Sequence, residues 1–299
     1  MSADEFERRV QAQVERLRSK SLRMIESEVT AKRLDWFDRH ADRYAGRWDA
    51  DHPPSPRDAF ELLFFDYMGL SADEVPILSE SPTEIVWASA NPCDTLEACA
   101  RLGLDTRVVC RTAYERSTQA LISRLDPQLR FLRSYQTIRP HADHCEERIV
   151  RLDFEALMAL AVEEALRSKA DGNKLEGYGA VVVLGNEIIG RGRDTVSAGP
   201  DPSLHAEVNT IRQAVQTLGD ANLSGAVLLS TCEPCPMCAS LAVWANLTTV
   251  VYGASIEKTA RLGLPRIMIS AREVVERSPV MVEVIGGVLE GECMAIYQD

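Results

Sequence analysis

Apolar positions recur every three or four residues through the first 48 residues, DEFERRVQAQVERLRSKSLRMIESEVTAKRLDWFDRHADRYAGRW, with no proline among them. That spacing predicts helix across the whole stretch. The turn signal DHPPSPRD ends it. A second helical pattern, AFELLFFDYMGL, opens after Asp58 and directs its aromatic residues at a core. EIVWAS, at Glu84–Ser89, reads as a strand. In the following NPCDTLEACARLGL, Asp94 and Thr95 are placed to cap a helix that stops at Gly103. From there to Ile149 the pattern reads as helix and loop.

The rhythm changes near Leu152. Residues 154–169, FEALMALAVEEALRSK, carry a helical apolar stripe that Asp171-Gly172-Asn173 closes. GAVVVL and EIIGRG, at 179–184 and 187–192, are strand-like, and Gly185-Asn186 between them suits a tight hairpin. A loop from Asp194 delivers His205 to a helix over 206–217, and a strand at 226–230 runs into TCEPCP. There Pro236 suits the first turn of the next helix. Strands at 248–252 and 280–285 and a helix at 289–297 complete the series. Strands alternating with helices predict an α/β sandwich for the second half. The expected division is a mainly helical domain at 1–150 and an α/β domain at 151–299.

Composition narrows the function. The 299 residues give room for two cores, and 45% hydrophobic with 26% charged residues is ordinary for a soluble globular protein. No apolar window approaches the roughly 18 residues of a membrane span, and MSADEFERRVQAQ has no apolar signal core. A cytoplasmic protein without a membrane part is expected. The net charge of −12 argues against a nucleic-acid partner, because phosphate affinity comes from clustered Lys and Arg. Residues 271–299 have Arg272 and Arg277 against six acids, which makes that segment a poor RNA clamp. A small-molecule partner is the expectation. The eight cysteines, without a secretion signal, are expected as reduced thiols.

Two short pieces carry chemistry: His205-Ala206-Glu207 and Pro234-Cys235-Pro236-Met237-Cys238. A catalytic zinc takes three nitrogen or thiolate ligands and keeps its fourth position open. His205, Cys235 and Cys238 supply three. Glu207, two residues past the histidine at a helix start, can act as proton carrier without ligating. The combination is the H-x-E…P-C-x-x-C signature of zinc deaminases. A closed structural site or a redox pair is the alternative, with Cys232 as the extra thiol, but either leaves Glu207 without a role. The first half holds Cys93, Cys99, Cys110, Cys145, His141 and His144 in spacings that match no zinc module. They read as small buried hydrophobes, with a second metal site as the lesser alternative.

From about residue 152 onward, GAVVVLGNEIIGRGRD, DPSLHAEVNTIRQA and STCEPCPMCASLAVWANLTTVVYGAS resemble the cytidine deaminase-like superfamily, in its order and at its spacing. The nearest likeness is to guanine deaminases and tRNA adenosine deaminases. The resemblance implies a three-layer α/β/α domain with a mixed sheet of about five strands. It implies Zn2+ held by His205, Cys235 and Cys238, Glu207 as proton shuttle, and an assembly of two or more copies, such as a homodimer. It further implies Asp194, Ala206 and Trp244 at the substrate, with Glu257 as a possible addition. Family members commonly have asparagine where this chain has Asp194, and guanine deaminases carry an acid that aligns at Lys258, beside Glu257. The function implied is hydrolytic deamination of a free nucleobase, nucleoside or related amino-heterocycle, a guanine-type purine first. A tRNA or other RNA base deaminase is the alternative. A catalytically inactive zinc-stabilised binding protein is the third reading, which the presence of Glu207 disfavours.

Overall fold

The computed structural model describes residues 2–170 and 177–298. The chain divides into two compact units, one up to Leu152 and one from Asp153. Asp171-Gly172-Asn173, expected to close a helix, lies outside the described residues.

In the first unit the long helical run is split into α1 (Ala3–Ser19) and α2 (Leu22–His40). Ser21 is extended, and its hydroxyl accepts the Met24 N–H at 3.3 Å, so a new helix starts there. Helix does not continue to residue 48. Only a 3-10 turn, Ala41–Arg43, follows His40. The Ser55 and Asp58 capping box opens α3 (Pro56–Glu61), which runs into a π-helical turn at Leu62–Tyr67. Helix α4 (Asp94–Leu102) does stop at Gly103, which turns left-handed at φ 64. Its cap is Cys93, whose Sγ accepts the Leu96 N–H, so Asp94 and Thr95 sit inside the first turn instead of capping it. Helices α5 (Thr106–Cys110) and α6 (Arg116–Ile122) flank a second π-helical turn, Arg111–Glu115.

Helical segments dominate this unit, yet the expected helix and loop over 104–149 also contains two strands. Strands β1 (Ile77–Ser81), β2 (Glu84–Ser89), β3 (Leu129–Arg133) and β4 (Cys145–Arg151) form an antiparallel sheet of order β1-β2-β4-β3. Alternation does not reveal β3, LRFLR, because its first four residues, Arg130 included, are all buried. Strand β1 hides for the opposite reason: it is exposed along its whole length at the sheet edge. Trp87 of β2 is fully buried at the centre of the core, with the Phe60 and Phe64 rings edge-on at 5.2 and 5.1 Å. Its indole N–H donates to Glu147 at 3.1 Å, so the one polar atom of the ring is satisfied.

The second unit opens with α7 (Phe154–Ala170). Its sheet holds β5 (Gly179–Leu184), β6 (Glu187–Arg193), β7 (Val227–Cys232), β8 (Thr249–Ala254) and β9 (Glu283–Gly286) in the order β6-β5-β7-β8-β9. The sheet is mixed: β5 is antiparallel to β6 and β7, and β7, β8 and β9 run parallel. Side-chain alternation along β5 explains the layers. Ala180 and Val182 face a core shared with α8 (Ala206–Leu218) and α9 (Pro236–Trp244). Gly179 faces the other way, so close to the Ala161 carbonyl of α7 that a Cβ would collide with it. Gly190 of β6 plays the same part towards α8, where a Cβ would lie 2.5 Å from the Thr210 carbonyl. Helices thus cover both faces of a five-stranded mixed sheet. Helices α10 (Ile256–Arg261), α11 (Ala271–Glu276) and α12 (Glu290–Ala295) complete the unit. No helix among the described residues is long and apolar enough to cross a membrane, and all eight cysteines are free.

Candidate active site

The chemistry sits where β6 and β7 hand over to α8 and α9. Asn209 fixes the first crossing by donating to the Arg193 carbonyl and the Thr195 hydroxyl, both at 2.9 Å, and to the Leu204 carbonyl at 3.2 Å. The loop is thereby tied to the helix it feeds. His205 is the N-cap of α8, which puts Glu207 in the first turn. Cys235 is the N-cap of α9, with Pro236 next, so Cys238 falls in that first turn. Two helix N-termini therefore meet, and their unpaired N–H groups and dipoles favour negative charge on the thiols.

His205 Nδ1 lies 3.7 Å from Cys235 Sγ and 3.6 Å from Cys238 Sγ, and the two sulfurs are 3.7 Å apart. With Zn–S near 2.3 Å and Zn–N near 2.05 Å, tetrahedral geometry puts ligand atoms about 3.6–3.8 Å from one another. The three separations fit one zinc ion. Among the described residues this is the one group of three such ligand atoms lying within 4.8 Å of one another, and Cys93, Cys99, Cys110 and Cys145 form none. Cys232 stays outside: it is buried, with its Sγ 3.9 Å from the Thr259 hydroxyl, and burial pushes its thiol up to about 12.

Electrostatics suit the same group. Cys238 beside it holds the Cys235 thiol down at about 4, and His205 adds to the effect. The neighbouring Cys235 and burial push Cys238 up, so the pair sheds one proton readily and shares the other. A bound cation removes both. Contact with Cys235 raises the His205 imidazole. Burial raises the Glu207 carboxyl, which accepts the Ser230 hydroxyl at 3.2 Å.

These groups open into a cavity of about 460 Å3 whose wall includes His205, Glu207 and Cys235 together with Tyr178, Asp194 and Arg266. Asp194 is buried, and its Oδ1 accepts the Val196 N–H at 3.1 Å. Ala206, between the wall residues His205 and Glu207, is wholly buried in the apolar core. Trp244 ends α9 with 78% of its surface exposed, off the cavity, because the helix carries it to the opposite end from Cys235. Glu257 is exposed, pairs with Arg261 and also lies off the wall, while Lys258 pairs with Glu290 at 2.6 Å.

Two wall residues carry no motif in the sequence. Glu233, between Cys232 and Cys235, is buried and accepts the Ile256 and Ala271 N–H groups, each at 2.9 Å, so one carboxylate ties down the starts of α10 and α11. Arg266 donates to the Tyr178 hydroxyl at 2.7 Å and the Thr259 hydroxyl at 3.0 Å. The only signal for Glu233 was its place in CEPC; for Arg266 there was none.

A mixed five-stranded sheet that presents one histidine and two cysteines on facing helix starts defines a metal-dependent α/β class. Residues 152–254 match the family model of the cytidine and deoxycytidylate deaminase zinc-binding region. The chain is 37% identical to the tRNA-specific adenosine deaminase of Bacillus subtilis over 46% of its own length and 83% of that protein. It is 41% identical to the guanine deaminase of the same organism, over 29% of this chain and 55% of that one. A tRNA(Ile)-lysidine synthase of Deinococcus deserti is 48% identical over 36% of this chain and 19% of its own. The chain thus spans about half of the guanine deaminase and a fifth of the synthase. It belongs to the cytidine and deoxycytidylate deaminase family, whose metal is zinc.

Proposed function

We propose that this chain is a zinc-dependent hydrolytic deaminase of a free nucleobase, nucleoside or related amino-heterocycle, a guanine-type purine being the first candidate. The observation that carries the reading is Glu207: a buried carboxyl beside a three-ligand set, facing a cavity of about 460 Å3. That volume lies within the usual range for small-molecule sites. His205, Cys235 and Cys238 would hold a zinc ion, which would lower the pKa of a water at its open position to about 7.

Glu207 removes a proton from the attacking water, and a C–O bond forms at the ring carbon that bears the exocyclic amine. The carboxyl returns the proton to the ring nitrogen. The proton of the new hydroxyl then moves through Glu207 to the amine, the C–N bond breaks, and ammonia leaves as the ring carbonyl forms. Ser230 steadies the shuttle in both states, because its hydroxyl donates to the carboxylate and can accept from the protonated carboxyl. Ionised Asp194 on the wall only accepts hydrogen bonds, so it selects a ring or sugar N–H or O–H. Arg266, held by Tyr178 and Thr259, supplies a fixed positive edge for a substrate carbonyl.

The test is ammonia release from guanine, cytosine, adenine, their nucleosides, pterins and triazines. Turnover of one of these is the expected result, and no release from any would sink the free-heterocycle reading. The extent of likeness to a tRNA-specific adenosine deaminase favours a second reading, an RNA base deaminase. Deamination of a tRNA anticodon stem, with free bases inert, would establish it instead. Assembly as a homodimer or higher oligomer belongs to the same proposal, and sedimentation of the zinc-loaded chain tests it.

A further inference from the structure

The unit up to Leu152 has a cavity of its own, of about 210 Å3, built from residues that the deaminase chemistry does not use. Its wall is cationic. Arg33, Arg133 and Arg139 line it against two carboxylates, Asp94 and Glu147. Both acids are already engaged: Asp94 by Arg9 at 3.2 Å and Glu147 by Arg133 at 2.7 Å. Arg33 donates to the Ser117 and Thr118 hydroxyls, both at 2.7 Å, and Arg139 donates to the Ala90 and Asn91 carbonyls. Those partners are neutral, so the two positive charges have no counter-ion among them.

Hydrogen-bond accounting points the same way. Arg33 Nε, Arg133 Nη1 and Arg139 Nε are buried without a partner. A buried N–H without an acceptor costs about 1–3 kcal/mol, more when it belongs to a charged group. Three arginines that line one cavity each keep such a sealed donor, so its surroundings are short of acceptor oxygens. Burial also disfavours the charged form of Arg33, a penalty that an anion at the wall offsets.

The backbone supplies an independent observation. π-Helical turns are rare and concentrate at functional sites. This unit has two, Leu62–Tyr67 and Arg111–Glu115, and both feed the cavity, the first through Leu63 and Phe64 and the second through Tyr114. With Phe131, whose ring lies 5.4 Å from the Arg133 guanidinium, these residues give the cavity apolar wall beside its guanidinium groups.

We propose that this cavity is a second ligand site, for a small organic anion with a carboxylate or phosphate head on an apolar body. Guanidinium groups match either head with paired N–H donors, and the apolar wall takes the body.

Calorimetric titration of the zinc-loaded full chain with benzoate, phenyl phosphate and the neutral benzamide tests it. At least one anion should bind, with benzamide weaker by about tenfold or more, the worth of a hydrogen bond to a charged group. Benzoate against phenyl phosphate distinguishes the two heads. Arg139→Met and Arg33→Met should each weaken the anion by a similar factor. Arg107→Met, which loses only an exposed pair with Asp105, and Glu207→Ala should leave it unchanged. Failure of both anions to bind at millimolar concentration overturns the proposal. So does benzamide binding as well as benzoate, or binding that survives Arg139→Met. Arg139 donates only to backbone carbonyls, so its variant decides the matter if Arg33→Met fails to fold. Loss of deaminase activity in Glu207→Ala with anion binding intact would separate the two sites.

Discussion

The two cavities reach binding chemistry by different routes. In the unit from Asp153, the reactive groups come from two pieces of three and five residues, each placed by a single helix start. In the other unit the wall is gathered from positions between Arg33 and Glu147, on helices, π-helical turns and strands. A site made at helix starts inherits its geometry from local backbone and is legible as a motif. A site made by packing exists only once distant elements have met.

The sharpest way to break this comparison is Glu207→Ala. It should lower turnover by about 10²–10⁴, the usual worth of a positioned acid–base group, with one zinc retained per chain by elemental analysis. Loss of zinc would make Glu207 a ligand and remove the division of labour on which the mechanism rests. In the other unit the corresponding stress is Trp87→Ala. Emptying that core position should cost about 3–5 kcal/mol, read by denaturant unfolding, with zinc content unchanged. Zinc lost along with that core would show that the two units do not stand independently.

Glu233→Ala is a smaller perturbation. It leaves the Ile256 and Ala271 N–H groups without their acceptor, at a cost of about 1–3 kcal/mol. Because the starts of α10 and α11 loosen while the zinc ligands stay, KM should rise more than kcat falls. An equal loss in kcat would assign Glu233 to the chemical step. Cys232→Ser should have the least effect, with zinc content and activity close to those of the parent. Metal loss in that variant would move the site to a different pair of thiols.

Much of the second unit was legible in order. GAVVVL occupies β5 over its full length, and the hairpin after it, the helix from Ala206 and the helix from Pro236 all stand where apolar spacing and Gly, Asn and Pro signals put them. Such features are local, and local propensity agrees there with the packing. The first unit was legible only in part. EIVWAS is a strand, but its partner β4 and the strand β3 beyond it were hidden, because the buried Arg130 of β3 reads as surface charge until the Pro127 carbonyl it donates to and the β4 strand beside it are seen. Cys93 capping α4 was likewise unreadable, since thiols are uncommon caps. At the cavity, Trp244 followed a family likeness in sequence and ended 78% exposed, while Arg266, far from both motifs, lies on the wall.

The sequence by itself determined the candidate metal ligands and their spacing within each motif, the neighbouring carboxyl and the alternating plan of the second unit. Each motif lies within one helix turn, and each element of the plan is set by its own period. Only tertiary structure decided that two helix starts meet with their ligand atoms 3.6–3.7 Å apart. It also decided that Glu233 and Arg266 join them and that three arginines of the first unit line one cavity. The physical reason is the same in each case. Helix caps and strand periods are set by neighbours along the chain, whereas burial and unpaired charge belong to surfaces that exist only after the elements pack.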